Sequence, residues 1–223
     1  QGLNVQPDVM IHIGVPNEFQ NWGKFNVGIT AGIETTQCSA EWLQGLNKMD
    51  MIIVPSQHSK DVFEKTMFEK KDENTGAKVG ELRCEVPIHV LYEGVNTDIF
   101  KVTKEKDEEV EEIMSQVKGD CYLFVGHWLR GDLGQDRKDV SGLIKVFCET
   151  FKNQKKKPAL VLKTSGADFS HIDRREIRSK IQQVKSTIDS KDLPDIYYIH
   201  GDLSEKQMNH LYNHSKVKCH ISF

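Results

Sequence analysis

The chain has 223 residues, 38% of them hydrophobic and 28% charged, with a formal net charge of −3, which points to a globular protein of one large or two small domains. The slightly acidic balance excludes general attraction to nucleic acid or to an anionic membrane surface, so any anion site must be local. No apolar run reaches the roughly 20 residues a bilayer span needs, residues 1–10 do not read as a signal peptide, and the five cysteines are scattered without a Cys-x-x-Cys pair, so the expectation is a cytoplasmic protein with reduced thiols and no transmembrane segment.

In chain order, Val9 to Gly14 reads as a short buried strand whose following loop, with Pro16 and Asn17, sets Glu18 at a carboxyl edge. Phe25 to Ile29 is a second strand, and Thr30 to Thr36 leads through Gly32 into Glu34 and Thr35. Ser39 caps a helix carrying Trp42, Leu43 and Leu46. Met51 to Val54 is a third strand, stopped by Pro55-Ser56, and a helix with Val62 and Phe63 follows. Glu69 to Gly80, with the turn signal Asn74-Thr75-Gly76, reads as a polar surface excursion without chemistry. Ile88 to Tyr92 is a strand, Glu93 to Phe100 has no period, and Glu105 to Val117 is a helix whose acids form a solvated face.

Cys121 to Val125 is an apolar strand opening at Gly126 into a polar loop with His127, Trp128, Arg130, Arg137 and Lys138. A helix begins near Asp139, with Val140, Leu143, Ile144, Phe147 and Phe151 on one stripe. A loop at the carboxyl edge of a parallel strand, beside a helix start, is where such folds hold anions, so this loop reads as an anion cradle. Lys155-Lys156-Lys157 fits a helix C-terminus better than a nucleic-acid patch. Ala159 to Leu162 delivers Lys163, Thr164, Ser165 and Gly166 to the same edge. The next helix buries Ile177, Ile181, Val184 and Ile188 and leaves Arg174, Arg175 and Arg178 outside. Ile196 to Ile199 is a strand, His200-Gly201-Asp202-Leu203 turns into a helix through the capping box Ser204-x-x-Gln207, and Met208, Leu211 and Tyr212 are its buried side. The chain ends on the apolar run Val217 to Phe223 and begins at Gln1 without an initiator Met, so both ends read as cut. Alternating strands and helices indicate an α/β protein of two Rossmann-like halves with parallel sheets.

Gly126-x4-Gly131 is followed by Asp132 rather than Lys and Ser or Thr, so it is no P-loop, and no Gly-x-Gly-x-x-Gly supports a dinucleotide site. His210 and His214 stand four apart on a helix, but without a zincin glutamate they read as solvent-facing, and no metal or other cofactor is assigned.

The ordered motifs resemble a family. Trp42-Leu43-x2-Leu46-Asn47-Lys48-Met49-Asp50-x3-Val54-Pro55-Ser56 and Tyr92-Glu93-Gly94-Val95-Asn96-Thr97-Asp98-x-Phe100 are similar to segments of the retaining GT-B glycosyltransferases of the GT4 (glycosyltransferase group 1) type. Phe124-Val125-Gly126-His127, Arg137-Lys138-Asp139-x2-Gly142-Leu143-Ile144-x2-Phe147 and His200-Gly201-x-Leu203-x7-Leu211-Tyr212 continue the match in order and spacing. The resemblance implies a GT-B fold, incomplete in both domains: residues 1–94 on the acceptor side, a linker over 95–104, and a nucleotide-sugar domain over 105–223 that stops before the family's acidic donor-binding pair. It implies transfer of a sugar, with retention, from a UDP- or GDP-sugar to an acceptor hydroxyl on a glycan, lipid or protein. Lys138 matches the family's phosphate-binding lysine, with Arg137 beside it. His127 stands where the family has arginine, so Arg130 or Arg137 supplies the second cation. Gly126, His127, Trp128, Arg130 and Lys163 are then the phosphate-side residues, Asp202 and Leu203 lie by the base, and Glu18, Glu34 and Thr35 shape the acceptor side. Two alternatives stay open: a non-catalytic GT-B-like nucleotide- or partner-binding module, and a GT-B-fold sugar-nucleotide epimerase.

Overall fold

Each apolar run read as a strand in the sequence contributes a strand to a parallel sheet in the computed structural model, which describes residues 5–72, 75–129, 134–166 and 168–222. The chain divides into two units, Gln1–Gly94 and Val95–Phe223. The first holds β1 (Val9–Ile13), β2 (Phe25–Ile29), α1 (Ala40–Leu46), β3 (Met51–Val54), α2 (Gln57–Lys65), β4 (Met67–Lys71), β5 (Lys78–Arg83) and β6 (Ile88–Val90).

Strands β1, β2, β3 and β6 lie side by side in that order, each neighbour parallel. Parallel neighbours require crossovers, and α1 and α2 lie in two of them. Both helices start on serine caps: Ser39 accepts from the Trp42 amide and Ser56 from the Ser59 amide. Their apolar sides, with Leu43, Leu46, Val62 and Phe63, close over Ile52, Val54 and Ile88 on one face of the sheet. Helix α1 also meets the 3-10 turn Pro16–Glu18 so closely that a Cβ at Gly45 would strike the Pro16 carbonyl. The opposite face of the sheet is different. Val9, Ile11 and Ile13 are 57%, 60% and 75% exposed, and Phe25, the register partner of Val9, is 44% exposed, whereas Val27 beside Ile11 is buried.

The stretch read as a surface excursion is instead an antiparallel hairpin, with Met67 opposite Arg83 and Glu69 opposite Glu81. It was illegible because both strands are largely exposed and therefore polar on both faces, so no period-2 alternation marks them. Among its described residues Leu82 alone is buried, and Asn47 fastens the hairpin by donating to the Arg83 carbonyl at 2.8 Å and accepting from the Glu85 amide at 2.9 Å.

The second unit holds α3 (Glu108–Ser115), β7 (Cys121–Val125), α4 (Val140–Phe151), β8 (Ala159–Lys163), α5 (His171–Ser186), β9 (Ile196–Ile199), α6 (Glu205–Asn213) and β10 (Val217–Ile221). Its strands run β10-β7-β8-β9, all parallel. Helices α4 and α5 pack on the face that carries Phe124, Leu160 and Leu162. Helices α3 and α6 pack on the other face, with Cys121, Leu123, Ala159 and Val161. All five residues of β8 are buried, which is why it reads as a continuous apolar run.

Three details depart from the sequence reading. Helix α3 starts at Glu108 rather than Glu105, because the Asp107 carboxylate accepts from the Val110 amide at 3.1 Å and caps it. The preceding segment is held by α6, with the Lys101 amide donating to Asn209 Oδ1 at 3.2 Å and the Thr103 amide to Asn213 Oδ1 at 3.3 Å. His210 and His214 are not solvent-facing: their side chains are 14% and 7% exposed, turned toward Glu105 and Glu111 respectively. Burial holds the His214 imidazole below its usual pKa. All five cysteines are free thiols. Among the described residues no helix is long and apolar enough to cross a membrane.

Candidate functional site

In the second sheet the chain runs from β7 outward through β8 to β9 with its helices on one face, then returns across the sheet through α6 to place β10 on the other side of β7. Helix α4, which follows β7, and helix α6, which leads into β10, therefore lie on opposite faces, and the crevice outside the carboxyl ends of these two neighbouring strands is the topological switch point at which open parallel sheets bind ligands. Gly126 and His127 stand there. The Gly126 amide donates to the Lys163 carbonyl at 3.1 Å and the Trp128 amide to the Ser165 carbonyl at 2.8 Å, so the ladder of β7 and β8 continues into the loop and fixes its course. His127 is exposed, with Nδ1 3.1 Å from Ser165 Oγ.

Trp128 is not at the surface of this loop. It is 2% exposed, packed with Ile177 and Ile181 in the core, and Lys180 Nζ lies 5.4 Å from its ring centroid. It anchors the loop and does not face the crevice. Arg130 lies outside the described residues.

At the far end of the loop Arg137 is exposed and Lys138 half-buried, immediately before the N-cap Asp139. The first turn of α4 is already occupied by carboxylates. Asp136 Oδ1 accepts from the Val140 amide at 3.2 Å and Asp139 Oδ1 from the Gly142 amide at 3.0 Å. Asp139 takes a left-handed backbone, φ 39°, a conformation Asp tolerates better than most residues. An anion at this edge would thus meet the side chains of Arg137 and Lys138 rather than a bare helix N-terminus, a change from the cradle read in the sequence. Asp136 Oδ2 is buried and has no hydrogen-bond partner among the described residues.

The carboxyl ends of β8 and β9 are laced together. Lys163, 9% exposed, donates from Nζ to the Gly201 carbonyl at 2.8 Å, and burial pulls its pKa below the usual lysine value against the opposing pull of Asp202. Asp173, in the first turn of α5, accepts from the Gly166 amide at 3.0 Å and stands 3.2 Å from His200 Nε2. A side chain at Gly166 would push the Asp173 carboxylate from its place. The sequence reading missed Asp173, although Ser170-x-x-Asp173 has the pattern of a helix start and Ser170 Oγ does accept from the Asp173 amide at 3.1 Å. Asp202 is exposed at the edge, whereas Leu203 turns inward against the core. The edge therefore brings together Gly126, His127, Lys163 and Asp202, with Arg137 and Lys138 at the α4 end of the loop.

In the first unit a cleft of about 450 Å3 opens at the carboxyl ends of all four parallel strands, lined by Gly14, Thr30, Gly32, Pro55 and Glu93 among others. Glu18, Glu34 and Thr35 do not line it. Glu18 is exposed in the 3-10 turn, Glu34 is exposed, and the Thr35 hydroxyl donates to the Gln37 carbonyl at 2.8 Å. Glu93, which the sequence reading did not single out, lines the cleft three residues past the end of β6. Among the described residues no group of three His, Cys, Asp or Glu side chains is placed to hold a metal ion.

No family model and no curated protein matches the chain. Solved structures do. An α,α-trehalose-phosphate synthase (UDP-forming) from Burkholderia xenovorans, in complex with glucose-6-phosphate, aligns with 92% of this chain and 51% of its own, at TM-score 0.52 and 12% identity. The E. coli structure described as trehalose-6-phosphate bound with UDP-2-fluoro glucose aligns over 84% of this chain and 44% of its own, at TM-score 0.48 and 10% identity. The N-terminal domain of Candida albicans trehalose-6-phosphate phosphatase gives 85%, 43%, 0.47 and 13% in the same terms. The chain spans about half the length of the structures it matches. At these identities the likeness concerns fold, and the fold is of GT-B type, an α/β arrangement with two Rossmann-like parallel sheets.

Proposed function

We propose that this chain is the nucleotide-sugar-handling part of a glycosyltransferase, moving a sugar from a nucleoside diphosphate to an acceptor hydroxyl with retention at the anomeric carbon, in the GT4 manner. The observation that carries this reading is the switch point in the second sheet, with Gly126-His127 at the end of β7 and Arg137-Lys138 closing the same loop before α4. Breaking a sugar–phosphate bond develops positive charge at the anomeric carbon and negative charge on the departing diphosphate, and cations fixed beforehand beside that phosphate lower the barrier. Lys138 and Arg137 take that role, with His127 as a further donor. Lys163, already tied to Gly201, acts on the edge's shape rather than on the phosphate directly. Residues 105–223 form the donor side and 1–94 the acceptor side, joined by 95–104, with the cleft beside Glu93 as the first place to look for acceptor contacts. The acceptor is a glycan, lipid or protein hydroxyl, and the free cysteines suit a reducing, cytoplasmic setting.

UDP and GDP are the first ligands to test, UDP foremost because the Burkholderia neighbour is described as UDP-forming. Saturating UDP or GDP is expected to raise the unfolding temperature of the second unit, and no shift with either overturns donor binding. Lys138→Ala in the full-length protein is expected to cost on the order of 3 kcal/mol of transition-state stabilisation, about a hundredfold in rate, and near-normal turnover sinks its assignment. A second reading, a nucleotide-binding module without catalysis, is favoured by the carboxylates that occupy the α4 amides. Nucleotide binding without product formation would select it.

A further inference from the structure

In the second unit Phe124 and Phe147 pack in the core at 1% and 4% exposed, whereas Phe169 is 45% exposed at the edge where β8 hands over to α5. Its ring is not loose. Lys163 Nζ lies 5.1 Å from the ring centroid, and the His200 ring meets it edge-on at 5.7 Å and 73°. Each of these supports is itself pinned: Lys163 by the Gly201 carbonyl, and His200 by the Asp173 carboxylate. An aromatic ring held in place from its inner side, with its remaining area open, is a stacking platform that needs little reordering when a ligand arrives.

The surroundings select the ligand. Gly201, beside the platform, has φ 123° and no atom within 4 Å of where a side chain would stand, so the backbone there is open to close approach. Asp202 next to it is exposed. Bases stack on aromatic side chains whatever their edge pattern. Strand spacing fixes the reach: β7 and β9 stand two strands apart, about 10 Å, which separates the phosphate side from the base side of one bound nucleotide. We infer that Phe169 is the surface on which the base of the nucleotide donor stacks, with the pinned Lys163 and His200 holding its ring. This inference rests on the nucleotide-donor reading and adds a residue to it.

The test titrates the 223-residue chain, its Phe169→Ala variant and its Phe169→Trp variant with UDP, GDP, uridine and pyrophosphate by calorimetry. Phe169→Ala is expected to weaken UDP and uridine about tenfold and to leave pyrophosphate unchanged. Phe169→Trp is expected to retain UDP binding and to show indole fluorescence quenched by uridine, beyond any change in the unsubstituted chain. If Phe169→Ala binds UDP as tightly as the unsubstituted chain, the platform is overturned while the donor reading stands. If the unsubstituted chain binds neither UDP nor GDP, the donor reading itself fails, and the platform with it. Should Phe169→Ala lower the unfolding temperature, the Phe169→Trp quenching decides: an indole unmoved by uridine overturns the stacking role.

Discussion

The two parallel sheets have the same number of strands but not the same cover. In the second unit helices lie on both faces, and β8 is buried along its whole length. In the first unit α1 and α2 lie on one face, while the face carrying Val9, Ile11 and Ile13 is open. Yet β1 and β8 look alike as text, since Val-Met-Ile-His-Ile and Ala-Leu-Val-Leu-Lys are both short, mostly apolar runs. A buried-strand signal records what a strand is composed for, and the packing shows which of its sides is covered.

That contrast can be broken or sharpened by experiment. The largest expected effect is in the second sheet: Leu162→Ala removes a fully buried side chain packed under α4 and α5 and should cost about 2–5 kcal/mol, whereas Ile11→Ala on the open face should cost less than about 1 kcal/mol. Segment-resolved hydrogen exchange reads each unit separately. Equal losses at the two positions would mean that the open face is covered in solution. The next effect asks whether the covered face of the first unit is packed as tightly as the second. Gly45→Ala gains up to about 1 kcal/mol in helix propensity but drives a methyl into the Pro16 carbonyl, an overpacking cost of about 1–3 kcal/mol. A net loss of about 1–2 kcal/mol confined to the first unit is expected, and a stabilised variant would show that α1 has room to move. The smallest effect separates the units by pH. His214 is held neutral by burial, its folded pKa lying below the unfolded value, so its contribution is complete above about pH 6.5 and is lost as pH falls through the lowered folded value. The second unit should lose stability on acidification below pH 6.5 more steeply than a His214→Gln variant does, and parallel curves would remove His214 from the account.

The strands and capped helices were legible because each depends on local chemistry. The runs Cys121–Val125 and Ile196–Ile199 are apolar and bounded, and Ser204 with Gln207 forms the capping box that its spacing announces. The hairpin Met67–Arg83 was not legible, since strands that bury little carry no alternating pattern. Parts of the edge were misread for a related reason. Trp128 sits in a polar, glycine-rich stretch, and nothing local discloses that its ring turns back into the core against Ile177 and Ile181. Asp173 and His200 stand 27 residues apart, and only the parallel arrangement of β8 and β9 makes them neighbours. The carboxylates over the α4 amides lie in the sequence in plain view as Asp136 and Asp139, but their direction comes from the loop's turn.

The segment that leads into α3 has a bearing on how the second unit is made. Lys101 and Thr103 find their partners in Asn209 and Asn213, 108 and 110 positions later, and the α3 carbonyls of Met114 and the following Val117 receive Lys216 Nζ at 2.7 and 2.6 Å. Closing loops of this length carries an entropic cost that local contacts do not repay, which slows folding. On the ribosome, residues 101–117 would wait without these partners while the sheet strands between them emerge, and the unit would lock only when Asn209 to Lys216 had left the exit tunnel.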